Sequence, residues 1–249
     1  MLHIEIAAEK IFSLFGLPIT NTLLTVWAVL VLLTITAVFL LRRLDVLPSG
    51  LQNVFEVFVE RFLGIMGEIF GSREKAEKYF PLVATIFILV LISNWIGIFP
   101  GVGSIGFYEE LHGKTVFVPF FRSAASDINF TIALAVVSVA FVHIFGVSSI
   151  GVFKHISKFI SFRSPIDFFV GILELISEIA KMISFSFRLF GNVFAGEVLL
   201  VIVGFLVPYF VPVPFLLLEI FVGFIQALVF SMLTMVFISI AVSHQYQKS

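Results

Sequence analysis

Arg188 lies within the apolar run Ser184 to Leu200 (SFSFRLFGNVFAGEVLL), where a permanent charge has to be accounted for. A charged side chain at the centre of a helix in lipid costs about 2.5–3.5 kcal/mol on the most lenient insertion scales, and arginine cannot shed its proton to escape that cost. Ionisable residues so placed default to ion pathways and counter-ion roles. At 100° per residue, Glu174, Ser177, Lys181, Ser184, Arg188 and Asn192 fall within about 80° of one another and form a polar stripe. An inter-helix hydrogen-bond seam would account for the serines and the asparagine, but not for Arg188.

Glu197 comes nine residues after Arg188, hence about 180° around the helix and roughly 13 Å along it. The two charges cannot share a face. In a later apolar run Glu219 and Gln226 are seven apart and nearly aligned. Both glutamates are candidate proton carriers; the alternative is a rim position, with the carboxylates snorkelling to the headgroups near Pro208 to Pro214. Asp127 and Asn129 can cap a helix start or line an aqueous inlet. His143 is a lone histidine inside a span, explicable by a hydrogen bond across helices. His244 falls at the cytoplasmic rim.

The elements that position these groups follow from hydropathy. The chain has 249 residues, 60% of them hydrophobic and 12% charged, with a mean hydropathy of +1.15. Soluble domains carry about a quarter charged residues, so this composition excludes one and predicts an all-α polytopic membrane protein. The 33 phenylalanines are spread through the apolar runs, as lipid-facing helices require, and do not form a cofactor box. With no cysteine, a disulfide framework, a thiolate metal site and an iron–sulfur cluster are excluded. No cofactor, metal or nucleic-acid partner is expected.

Five spans are predicted, at 20–41, 80–99, 127–150, 166–208 and 213–243, together with an amphipathic interfacial helix at 50–71. That helix is expected to turn Leu51, Val54, Phe55, Phe58, Phe62, Ile65 and Ile69 to one side. Residues 1–19 form an extracytoplasmic N-terminus lacking the basic region of a cleaved leader, and Gly101 to Ser126 reads as a polar loop. The run from Ile166 to Val207 contains no proline and would extend roughly 63 Å as one helix, about twice the hydrocarbon thickness. A single strongly tilted helix is expected there, followed by a proline corner and a second over-length helix. Arg42, Arg43, Arg61, Arg73, Lys75, Lys78, Lys154, Lys158, Arg163 and Lys248 fall on one side, Lys10, Lys114 and Arg122 on the other. The positive-inside rule puts the C-terminus in the cytoplasm.

A secondary transporter would show internal repeats, a b-type haem protein paired intramembrane histidines, and a passive scaffold would need no Arg188. The chain instead resembles subunit a of the F-type ATP synthases. The match rests on Ser184 to Glu197, supported by Leu51 to Glu56 (LQNVFE), Asn94 to Pro100 (NWIGIFP), Asp127 to Ala135 (DINFTIALA) and Ile225 to Thr234 (IQALVFSMLT).

The resemblance implies a non-catalytic proton-channel stator in a bacterial inner membrane, contacting a c-ring, peripheral-stalk b subunits and lipid. Its two long tilted helices would face the ring and its two offset half-channels would conduct protons. The family's essential arginine maps onto Arg188, and its access path onto Glu174, Asn192, Glu197, Glu219 and Gln226. Ser184, Lys181, Asp127 and His244 are secondary candidates. Members often pair Glu with His where this chain has Glu197 and Glu219. They also carry proline after the lysine, where this chain has Met182.

Overall fold

The computed structural model describes residues 8–14, 16–42, 50–99, 101–111, 114–159 and 164–243. A small hairpin, β1 (Lys10–Leu14) and β2 (Leu17–Thr20), leads into α1 (Asn21–Leu41). Thr20 Oγ1 accepts from the Leu23 amide at 3.3 Å, answering one of the amides that a helix start leaves unpaired. α1 exposes Leu30, Val31, Leu32, Ile35, Val38 and Phe39. A helix so apolar with so little of it covered is a lipid-facing span.

α2 (Leu51–Phe70) and α3 (Arg73–Ile96) are joined by a tight turn at Gly71, whose φ of 72° is the left-handed value glycine adopts without strain. Ser72 caps α3 from its side chain. The second span, expected at 80–99, is therefore the inner part of a helix that starts at Arg73, because the cap and Glu74 extend it into the charged segment. α2 differs from its expected facing. Its packed stripe is Phe62, Leu63, Met66 and Phe70, while Val54, Phe55, Ile65 and Ile69 are exposed. The helix thus has two apolar sides, one against α3 and α7 and one exposed.

The segment expected to be a polar loop contains a second hairpin, β3 (Gly106–Leu111) and β4 (Lys114–Pro119). The β-branched and aromatic residues of KTVFVP favour that state. α4 (Ile128–Ile150) follows, then the short α5 (Val152–Ile156), the 42-residue α6 (Pro165–Leu206) and α7 (Pro212–Ser243). α6 starts at a Ser164 cap with Pro165 in its first turn and runs unbroken, as the proline-free sequence predicts.

Five helices, α1, α3, α4, α6 and α7, are long and apolar enough to cross a membrane. α2, α3, α4, α6 and α7 share one core, which includes Phe62, Met66, Val83, Phe87, Leu134, Phe185, Leu189, Phe230 and Ile238. Small residues let these helices approach: a Cβ on Gly223 would come within 3.2 Å of Asn94 Cβ. There Asn94 Nδ2 donates to the Gly223 carbonyl and Trp95 Nε1 to that of Ile220, both at 3.0 Å. The hairpins gather at one end of the bundle. At the other, Ser239 Oγ donates to the Ile69 carbonyl and α5 packs on the last turns of α4.

Candidate functional site

Arg188 projects from the exposed side of α6, while Phe185, Ser186, Leu189 and Val193 face the core. Its Nη2 donates to Ser184 Oγ one turn back at 3.3 Å. Among the described residues it forms no ion pair. Its neighbours on that face, Ile183 and Phe187, are large, apolar and exposed. A guanidinium set in such a surface is costly without an anion beside it, and none of the described residues supplies one. One turn further, Asn192 Nδ2 donates to Gln226 Oε1 at 2.7 Å and ties α6 to α7. Gln226 is buried, and its Nε2 has no partner among the described residues.

Glu197 and Glu219 line one cavity of about 310 Å³, together with Glu9, Asn94, Arg122 and Ser123. Glu219 packs on α6 where Gly196 leaves room, since a Cβ there would lie 2.7 Å from Glu219 Oε1. Its Oε2 is buried without a partner among the described residues. Glu197 is held by Arg122, whose Nε donates to Oε1 at 3.0 Å and whose Nη2 donates to Oε2 at 3.3 Å. The Arg122 side chain is 10% exposed and that of Glu197 33%. The segment carrying Arg122 is fixed on both sides. Its amide donates to Thr25 Oγ1 of α1, and Ser123 Oγ donates to the Ser93 carbonyl of α3, over Gly97.

A second polar cluster lies toward the opposite end of α6. Lys181 Nζ donates to Glu178 Oε1 at 2.7 Å, and Glu178 Oε2 lies 3.6 Å from His143 Nε2. His143 Nδ1 and His155 Nε2 share a hydrogen bond of 3.1 Å. His155 is buried in a notch at Gly146 and belongs to α5, outside the spans. Burial, then the His143 and Lys158 charges, holds its imidazole below the ordinary value, with Glu178 pulling the other way. Lys158, in the turn after α5, is likewise pushed down by burial, against the opposing pull of Glu174 and Glu178.

The structure therefore brings Glu197 to Glu219, Asn192 to Gln226 and Ser184 to Arg188. Gln226 does not line the cavity that Glu219 lines. Glu174 is exposed on α6, and Lys181 is drawn to Glu178. Asp127 is the N-cap of α4: it accepts from the Asn129 amide at 2.9 Å and from Thr22 Oγ1 at 2.8 Å. It lies off the cavity lining. His244 falls outside the described residues.

Arg122, Glu9, Glu178 and His155 were not singled out from the sequence. For Glu178 the signal was present, as the i,i+3 partner of Lys181. Arg122 and His155 are brought in by a loop and a short helix whose docking no periodicity encodes.

The sequence profile described as ATP synthase A chain matches residues 23–239. A protein of Moorella thermoacetica named ATP synthase subunit a is 34% identical over 92% of this chain and 94% of its own length. One of the same name from Citrifermentans bemidjiense is 36% identical over 88% and 86%. Another, from Campylobacter jejuni strain 81-176, is 34% identical over 82% of each.

Proposed function

The chain belongs to the ATP synthase A chain family, and from that premise we propose that this multi-pass membrane protein is the proton-channel stator of an F-type ATP synthase. It performs no ATP chemistry itself. It offers protons two offset half-channels, and its partners are a c-ring, the peripheral-stalk b subunits and the surrounding bacterial inner membrane.

The observation that carries this reading is Arg188, exposed on an apolar face, hydrogen-bonded to Ser184 and without an ion pair among the described residues. A carboxylate on a rotor helix sliding past that face supplies the missing anion. Because arginine keeps its proton, it attracts each rotor carboxylate as it deprotonates and denies protons a direct route across.

The two polar zones lie on either side of Arg188. Glu197 is nine residues toward one end and Glu178 ten toward the other, which is roughly 13 and 15 Å along the helix. Protons enter from the extracytoplasmic cavity past Glu197 and Glu219, with Asn192 and Gln226 bracing the helix pair beside the arginine. They leave along the stripe of Ser184, Lys181 and Glu174.

Arg188→Ala and Arg188→Gln should abolish ATP-driven proton pumping in reconstituted vesicles while the subunits still assemble. Arg188→Lys should be severely impaired, since an ammonium can lose its proton and lacks the planar fork. Near-normal pumping by Arg188→Gln would overturn the assignment.

A further inference from the structure

The cavity holds two membrane carboxylates in contrasting surroundings, and Arg122 makes the difference. Both oxygens of Glu197 face N–H groups of the Arg122 guanidinium, at 3.0 and 3.3 Å. Guanidinium nitrogens donate and never accept, so an oxygen turned to them serves as an acceptor and not as a carrier of its own hydrogen. Glu219 Oε2 has no such donor among the described residues, although it is buried beside the same cavity.

Arg122 is also built to stay in place. Its amide is tied to Thr25, its neighbour Ser123 to the Ser93 carbonyl, and its side chain is almost fully covered. A charge this well covered and this firmly anchored is not a solvated loop residue that happens to meet a glutamate.

We infer that Arg122 is a positioning residue of the proton inlet: it pins Glu197 as a fixed anion at the cavity wall, so that the proton moving inward rides on Glu219. The inference rests on the stator reading above. The step moves one proton and needs no co-reactant. A proton arriving from the extracytoplasmic bulk as hydronium is taken up by the Glu219 carboxylate at Oε2, which leaves neutral water in the cavity, and Glu219 gives that proton up to the deprotonated rotor carboxylate.

The test is passive proton flow through the reconstituted complex stripped of its catalytic head, driven by a potassium diffusion potential and measured against extracytoplasmic pH. Arg122→Gln should lower the flow at least about tenfold, the scale of loss when one partner of a close charge pair is removed. The midpoint of its pH profile should move upward by about one unit, because loss of a fixed cation favours protonated carboxyls. Arg122→Lys should restore part of the flow. The double variant Arg122→Gln/Glu197→Gln should match Glu197→Gln alone within about twofold, since coupled partners do not add.

Glu219→Gln should be the most severe change in the cavity. Independent, additive losses, or an unmoved pH profile in an Arg122→Gln complex that retains its ring, would overturn the role of Arg122. Normal flow in Arg188→Gln, measured alongside, would instead overturn the stator reading itself.

Discussion

Asp127 shows how one side chain can look like a channel residue and act as a joint. Its carboxylate receives the Asn129 amide at the start of α4 and the Thr22 hydroxyl of α1, and it is buried. Asparagine is as good an N-cap as aspartate and keeps an acceptor for Thr22. Asp127→Asn should therefore retain most of the passive proton flow, whereas Asp127→Leu should loosen α1 from α4 and lower thermal stability of the complex by about 1–2 kcal/mol. Loss of flow in Asp127→Asn, with stability intact, would return the residue to the inlet. At this scale the sequence is legible where one residue carries an unavoidable cost, as Arg188 does. It is not legible where a residue gains meaning from a distant partner. Arg122 looks like any loop cation until the segment from Phe120 to Asp127 is seen wedged between α1 and α3.

Among elements, the short α5 is held partly by a titratable side chain. It sits against α4 through the His155 ring at Gly146, and the following turn meets α6 where Gly171 leaves space for the Phe159 carbonyl. The groups facing His155 are His143 of α4, Lys158 of its own turn and Glu178 of α6. The folded imidazole titrates below its unfolded value of about 6.5. The unfolded form then binds more protons in the window between the two values, so docking is fully stable above about pH 6.5 and is lost as pH falls below it. Amide exchange over residues 152–159, corrected for its intrinsic pH dependence, should rise on acidification from pH 7 toward 5. His155→Gln should flatten that response, and a response unchanged in the variant would remove the histidine from the account.

The long helices were readable because absence of proline over some forty residues is a strong local statement. The facing of α2 was not. Its sequence is apolar on two sides, and only the packing of Phe62, Met66 and Phe70 against its neighbours decides which side is inward. The hairpin of β3 and β4 escaped notice for a related reason: each strand has six residues, and a two-stranded ribbon gives little periodicity to detect.

For the whole molecule, the decisive property is the separation of two polar zones by a packed centre. The cavity of Glu197 and Glu219 lies at the end that carries the hairpins, and the cluster of Glu178, His143 and His155 lies toward the end that carries α5. Between them Phe185, Leu189 and Val193 are buried in the core, while Arg188 stands on the outer face of the same helix. A chain without cysteine lets this be measured directly. Single cysteines at Val198 and Val201, which line the cavity, should react with a membrane-impermeant thiol reagent added from the extracytoplasmic side alone. Cysteines at Glu174 and Ser177, exposed on α6, should react from the cytoplasmic side alone. Leu189→Cys, at the packed centre, should react from neither side in the assembled complex. A reactive path running through position 189 from both sides would describe an open pore, and an open pore would overturn the proposal of two offset half-channels, since it would dissipate the gradient they are proposed to couple to rotation.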